Sequence, residues 1–403
     1  MKVYGLSRLL GATMTLLVIL ASFSPFFLPN SVCQQPQKIL VNTIKDVAQR
    51  AGVSVSTVSN VLNGRSGRMR KETLARVENA IAQLKFHPNP AALRLKTGRT
   101  SLIGLLVPSL ANPMFGAIAR EIETFAQERY GHRVLIGSTY RDKEKEATFF
   151  EDLLAHGVRH VIVISSLADE RHFDTMIERG MTVVSYDRLA AKGRTSKVVH
   201  VTPDNFEAAR LATEHLIEYG HKRLAFATVA GMTLSRSAKI QGFQAAASHS
   251  GLQKTAIVLN GGLLDEYGDS VMSEIGRTLA FQLAADPSRS TGVVAVNDLM
   301  ALGLMAGLRE AGLRVPQDVS IVGIDGLFLA ALSNPALSTV QLPVADMARA
   351  MVDCAIAPKA EGEVHACEQV FMPTLLVRRE SVAPPPVPAT ESATGRGARN
   401  ARA

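Results

Sequence analysis

The sequence predicts an all-α helix-turn-helix head and a basic linker, followed by a two-lobed α/β core built on parallel sheets. Three observations carry this expectation. The stretch TIKDVAQRAGVSVSTVSNVL, Thr43 to Leu62, holds two short apolar-periodic segments separated by a glycine. From Ser101 onward, short apolar runs alternate with amphipathic helices, and the whole alternation occurs twice. Charge is segregated: residues 41–99 contain eleven Lys/Arg against three Asp/Glu, a net of +8, whereas residues 100–382 sum to −5. A basic module joined to a mildly acidic one suits a polyanion-binding head on a body that binds something else. At 403 residues the chain is too long for one core.

The elements follow in order. Thr43 suits an N-cap, and Ile44, Val47, Ala48 and Ala51 recur at helical spacing. Gly52 permits the turn that ends this helix. Ser54 caps a second helix, in which Val58, Val61 and Leu62 form the stripe to be buried. Two such helices around a tight turn place the second in a DNA major groove. An ordinary helical hairpin would not need the small polar groups Ser56, Thr57, Ser59 and Asn60 on the unpacked face. Lys71 to Leu84 reads as a third helix with Leu74, Val77, Ala80, Ile81 and Leu84 on one side. Pro88 and Pro90 interrupt the pattern before AALRLK, a basic linker with Arg94, Lys96 and Arg99.

In the body, strands are expected at 102–108, 133–138, 160–165 and 181–187, and again at 223–229, 256–262, 292–298 and 320–325. Helices such as Met114–Tyr130 and Lys145–His156 lie between them. Ligands of open parallel sheets bind beyond the carboxyl ends of the strands. The polar and aromatic residues there are the ligand candidates: Asn112, Phe115, Asp187, Arg188, Asn297, Asp298, Asp325 and the loop carrying Ser235 and Lys239. A carboxylate such as Asp298 can accept from two adjacent hydroxyls, and Phe115 can cover an apolar sugar face. Asp298 also suits helix N-capping before LMALGLM, and Asp187–Arg188 a surface ion pair.

The ends differ from the middle. Lys2 and Arg8 precede an apolar run at 9–28 that reads as a signal peptide or a membrane anchor. Export would separate the head from DNA. Three accounts fit: a misassigned start with Val41 as the true first residue (favoured here), a membrane tether, or a buried extension. After Ser381 the chain is rich in Pro, Ala and Gly, and 383–403 is expected to be a disordered basic tail. Three cysteines, Cys33, Cys354 and Cys367, show no CxxC spacing, which speaks against a zinc site or disulfide framework. No P-loop, GxSxG, HExxH or GxGxxG is present, so neither an enzyme nor a metal or cofactor requirement is expected. No leucine heptad follows the core.

TIKDVAQRAGVSVSTVSNVLNG, the third helix and HPNPAALRLKTGRTSLIGLLVP together resemble the LacI/GalR family of transcriptional regulators, from about Val41 to about Val382. The body is also similar to periplasmic sugar-binding proteins. The resemblance implies a homodimer on a pseudo-palindromic double-stranded DNA operator, controlled by a small-molecule effector, a sugar or sugar derivative. It implies base reading by Val55, Ser56 and Asn60, and positioning on phosphates by Thr43, Ser54, Thr57, Ser59, Arg94 and Lys96. It further implies a hinge helix whose Leu95 wedges into the minor groove; plain linker packing is the other account of Leu95. Relatives often carry Arg where this chain has Asn60, Leu93 and Lys239. The expected domains are an extension at 1–40, the head at 41–87, the hinge at 88–99 and the core at 100–382. Within the core, 100–202 and 328–342 are assigned to the first lobe, and 203–327 and 343–382 to the second. The expected location is the cytoplasm, with membrane contact only if residues 9–28 belong to the native protein. An exported or tethered sugar-binding protein is the alternative function.

Overall fold

The computed structural model describes residues 42–67, 69–86, 100–140, 142–164, 171–186, 198–230, 233–262, 269–357 and 369–386. The apolar run at 9–28, the hinge with Arg94, Leu95 and Lys96, and the pair Asp187–Arg188 lie outside them. The chain divides into two compact units, Met1–Leu93 and Arg94–Ala403.

In the first unit, helices α1 (Ile44–Ala51), α2 (Val55–Leu62) and α3 (Lys71–Gln83) surround a small core of Val47, Ala48, Ala51, Val58, Val77, Ala80 and Phe86. Gly52 ends α1 in the left-handed region at φ 64°, and the Val53 amide reaches back to the Ala48 carbonyl at 3.0 Å. This is the six-to-one bond of a Schellman turn, and it needs a residue without a Cβ at Gly52. The helix periodicity thus gave all three helices within a residue or two. Phe86, beyond the last predicted helical position, closes the core from below.

The second unit contains two six-stranded sheets. The first takes β1 (Leu102–Val107), β2 (Arg133–Ser138), β3 (His160–Ile164), β4 (Thr182–Tyr186), β5 (Val199–Pro203) and β11 (Gln369–Met372), in the order β11-β5-β4-β3-β1-β2, with every pairing parallel. The second takes β6 (Leu224–Thr228), β7 (Ala256–Asn260), β8 (Gly292–Ala295), β9 (Ser320–Asp325), β10 (Ser338–Gln341) and β12 (Leu375–Val377), ordered β12-β10-β9-β8-β6-β7. Here the edge strand β12 runs antiparallel to β10, and the other strands are parallel.

Helices cover both faces, which is why the central strands are apolar throughout. Along β1, Ile103, Leu105 and Val107 face α4 (Pro113–Tyr130), while Leu106 turns the other way toward Phe150 and Leu153 of α5 (Lys143–Ala155) and Phe173 of α6 (Arg171–Glu178). In the second lobe, α7 (Asn205–Glu218) packs beside α8 (Leu234–His249), and α9 (Asp269–Ala285) beside α10 (Asp298–Glu310). The last pair is closely apposed: a Cβ on Gly303 would fall 2.0 Å from the Ser273 carbonyl oxygen. A short helix, α11 (Phe328–Leu332), follows the turn after β9.

Two expectations need correction. The chain crosses between lobes three times, and the returns are opposite to those read from the sequence. Strand β10 pairs with β9, so residues 338–341 belong to the second lobe rather than the first. Helix α12 (Val344–Ile356), assigned by sequence to the second lobe, buries Met347, Ala348, Met351 and Val352 and packs across β3, β4 and β5 of the first. Strand β11 follows it into the first sheet, and β12 returns to the second. The reason is local: α12 carries an apolar stripe wide enough to cover a sheet face, whereas β10 is too short to show a period. The second concerns residues 383–386, which the sequence assigns to a disordered tail. Ala383 exchanges two hydrogen bonds with the Ser320 hydroxyl, at 3.0 Å each, and its carbonyl accepts from His221 at 2.9 Å. Residues 383–386 are therefore seated on the second lobe, because Ser320 and His221 are buried and need these partners.

Candidate functional site

The head presents one face of α2. The amide and hydroxyl of Thr43 both donate to Asp46 Oδ2, at 2.6 and 2.7 Å, which holds the Asp46 carboxyl below its ordinary value through the Thr43 amide and then the hydroxyl. Thr43 thus starts α1 in a capping box. Ser54 accepts from the Thr57 amide at 3.2 Å and shares a hydrogen bond with the Thr57 hydroxyl at 2.9 Å, so these two side chains fix the start of α2. The Ser59 hydroxyl and carbonyl receive the Asn63 amide group at 3.3 and 2.6 Å. With Val58 buried beneath, Val55, Ser56 and Asn60 are left exposed to solvent on the same short helix. The start and end of α1 are tied to the end of α3: Arg50 reaches Gln83 at 3.1 and 3.0 Å, and Asn42 donates to the Leu84 carbonyl at 2.6 Å.

In the body, the described ligand candidates stand at or just beyond the carboxyl ends of parallel strands. Asn112 is buried and caps α4, accepting from Met114 at 2.9 Å, and Phe115 follows on the first turn. Ser235 pairs with Thr233 at 3.2 Å at the start of α8. One turn on, the Lys239 ammonium donates to the Val296 carbonyl at 3.1 Å, which ties α8 to the end of β8. Asn297, and not Asp298, caps α10, accepting from Met300 at 3.0 Å.

Asp298 has another task. Its residue is fully buried; Oδ2 accepts from the Leu327 amide at 2.7 Å and Oδ1 from the Thr339 hydroxyl at 2.5 Å. Burial pushes its carboxyl up to about 6, against these donors and the Gly326 amide. The carboxylate therefore clamps the turn after β9 to β10. Gly323 makes room for it, since a Cβ there would meet Oδ1 at 2.1 Å. The clamped turn includes Asp325, at φ 133° and almost buried. That conformation is uncommon for a residue with a Cβ, and a cost of this kind is tolerated where the surroundings over-determine it.

Asp325 lines a groove of about 550 Å³ between the lobes. Pro113, Met114 and Ala117 of α4 form one wall, Asp325–Phe328 another, and Gln341–Val344, the second crossover, the floor. The structure thus joins Lys239, Val296, Asn297 and Asp298 through direct bonds and short chain segments, and brings Asp325 to face the first turns of α4. It does not expose Asp298 to a ligand. Sequence reasoning missed Thr339, hidden in a four-residue strand, and read 235–239 as a loop where the structure has the first turns of α8, with Arg236 buried like Thr339.

An exposed reading helix on a small basic unit, with two parallel-sheet lobes in the second unit, defines a class: DNA-reading proteins with a ligand-binding body. Comparison with known proteins agrees. Residues 43–89 match the family model described as bacterial regulatory proteins, lacI family, and residues 213–382 match the periplasmic binding protein-like domain. The chain is 32% identical over 354 residues to the HTH-type transcriptional regulator GalR of Escherichia coli (strain K12), covering 87% of this chain and 99% of that protein. It is 30% identical over 342 residues to the regulator DegA of Bacillus subtilis (strain 168), covering 85% and 98%. Among solved structures, the lac repressor dimer bound to operator and an anti-inducer superposes with a TM-score of 0.71 at 24% identity, over 85% of this chain and 99% of that one, which supports the fold. The complex of the transcriptional regulator CelR with cellobiose superposes with a TM-score of 0.59 at 26% identity, over 84% and 99%. The chain belongs to the LacI/GalR family of helix-turn-helix transcriptional regulators.

Proposed function

We propose that this protein is a sequence-specific DNA-binding transcriptional regulator, of the repressor kind, whose operator affinity is set by a small molecule bound between the two lobes. It is a regulator and not an enzyme. The observation that carries the reading is α2, a helix held from behind by Val58 and capped by Ser54 so that Val55, Ser56 and Asn60 face outward. Valine can pack on a thymine methyl, serine is a promiscuous partner, and asparagine can pair with adenine in the major groove. Ser54 caps the helix, Thr43, Ser54, Thr57 and Ser59 are assigned to phosphate contacts or capping that position it, and Arg94, Lys96 and Leu95 are assigned to the hinge that follows.

The effector reading rests on the strand ends. Asn112, Phe115, Ser235, Lys239, Asn297 and Asp325, with Asp187 and Arg188, are assigned to effector contact, and Asp298 to holding the Asp325 turn. Sugar-like effectors fit this arrangement, as in the relative bound to cellobiose. A ligand that binds one lobe arrangement better than another shifts the population by its differential affinity, and operator binding must change effector affinity by the same factor. The protein acts as a homodimer, with two heads on a two-fold symmetric site, in the cytoplasm beside the chromosome. Among the described residues, no helix is long and apolar enough to cross a membrane.

Selection of bound sequences from random DNA tests the proposal. The wild-type protein is expected to enrich a two-fold symmetric site, and Asn60→Arg to change the preferred base at one symmetric position, toward guanine. An unchanged site in the variant would remove Asn60 from the reading set, and no enrichment by the wild type would remove the regulator reading.

A further inference from the structure

The hydrogen bonds around Asp298 carry an inference about regulation, which rests on the regulator reading above because the turn they hold presents Asp325. A chain of bonds runs one way, from that turn to the carboxylate. The Gly326 amide donates to the Thr339 hydroxyl oxygen at 3.3 Å, and the Thr339 hydroxyl donates to Asp298 Oδ1 at 2.5 Å. The Leu327 amide donates to Oδ2 at 2.7 Å. Asp298 and Thr339 are fully buried, so solvent does not replace a lost partner. An ionised carboxylate only accepts, and every link is then satisfied. A protonated one is also a donor, and both groups bonded to it are donors already. Its proton can be taken only by the Thr339 oxygen, which must turn its own hydrogen away from Oδ1 while still receiving the Gly326 amide. Protonation thus breaks the chain at Thr339. Asp325 depends on this hold, since its φ of 133° persists only where the surroundings over-determine it. We propose that Asp298 is a proton-controlled positioning residue: ionised it pins the Gly326–Leu327 turn and fixes Asp325 along the groove, and protonated it releases them, so that acidity loosens the effector-facing turn.

The surrounding charges leave this choice to Asp298. Burial raises its carboxyl to about 6, close to neutrality. The Arg379 guanidinium, beyond β12, favours the ionised form and is held by the Leu337 carbonyl at 2.6 Å. Strand β9 brings a second carboxyl, Asp325, and α8 brings Lys239, bonded to the Val296 carbonyl. On α7, which lies along β9 and β10, Glu207 and Glu214 pair with Arg210; on α9, Arg277 pairs with Glu310 of α10.

The test is amide hydrogen exchange of the full-length protein, followed by mass spectrometry from pH 5 to 7.5 over residues 320–332 and divided by the intrinsic rate at each pH. It needs no effector. Protection of the Gly326 and Leu327 amides is expected to rise about ten- to hundred-fold with pH, the gain of a hydrogen bond to a charged group. The midpoint should lie near 6. Global stability moves the other way, because ionising a buried carboxyl costs the folded state, so slower exchange at higher pH does not come from a firmer fold. Asp298→Asn should exchange at the fast, acid-side rate throughout. Thr339→Val should lose protection at pH 7.5, and Thr339→Ser, which keeps the hydroxyl, should retain the wild-type profile. Protection that is flat or falls with pH in the wild type, or a wild-type profile in Asp298→Asn, would overturn the proposal. A protein that selects a symmetric DNA site while its turn ignores pH loses only the proton control. One whose turn follows the Asp298 proton but that selects no site keeps the control and loses the regulator reading instead.

Discussion

Asp298 gives the sharpest energetic test. The perturbation is Asp298→Asn, which keeps the shape and one acceptor oxygen but removes the charge. Burial raises the folded carboxyl from the ordinary 3.8 to about 6. Between those values the folded state holds a proton that the unfolded state has lost. Stability from this group is fully present below about pH 4 and is lost as pH rises to about 6. The loss amounts to about 3 kcal/mol, because each tenfold difference in proton affinity between the two states is worth about 1.36 kcal/mol. The assay is urea unfolding of both proteins from pH 4.5 to 7.5, read as the difference between them, which cancels the titrating groups that do not interact with Asp298. Wild type should lose stability relative to Asp298→Asn as pH rises, steeply up to about pH 6 and little beyond it. A flat difference, or one favouring wild type at higher pH, would refute the reasoning. It would mean that the Leu327 and Thr339 donors outweigh burial and keep the carboxylate ionised.

Other expectations follow from the same packing and caps. His215 is buried, with neither ring nitrogen given a hydrogen-bond partner, and burial lowers its pKa from 6.5, with Arg378 adding to the effect. As pH falls below 6.5 the unfolded chain gains a proton that the folded one resists, so His215→Leu should gain stability relative to wild type between pH 7.5 and 5, measured by thermal unfolding. Gly303→Ala should overpack the α9–α10 contact against backbone and cost about 1–3 kcal/mol in the same assay. Ser54→Ala removes the α2 cap and should cost about 1 kcal/mol of head stability, with operator affinity falling in a gel-shift titration. Val55→Ala should alter base preference while leaving the melting temperature near wild type, because Val55 is exposed.

The sequence made the head legible because its signals are local: Thr43, Gly52 and Ser54 each act within four residues, and the apolar spacing of α1 to α3 is helical. The first strands of each sheet were legible for the same reason, as runs such as LIGLLV and SIVGID are long and buried on both faces. The lobe assignment after residue 327 was not. Strand β10, STVQ, is polar by sequence yet buried, because the Ser338 amide donates to the Ser381 hydroxyl at 2.8 Å and its own hydroxyl accepts from the Arg379 amide at 2.9 Å. Those partners lie about forty residues away, beyond any local pattern. Asp298 shows the same limit. Its position at a strand end was readable, but its donors come from Leu327 and Thr339 on other elements, so the bonds that turn a ligand candidate into a clamp were not. The seating of Ala383 depends likewise on Ser320 and His221, distant in the chain.

The central claim is that this chain distinguishes one DNA sequence from others. The measurement is the ratio of dissociation constants for the selected site and a scrambled site of equal length, with full-length protein at fixed physiological salt. The account predicts a ratio of about a thousand or more in favour of the selected site, the usual margin for specific recognition. It also predicts that Asn60→Ala and Val55→Ala lower that ratio mainly by weakening the specific complex. Equal affinity for both DNAs would leave only the electrostatics of a basic head, and would contradict the account.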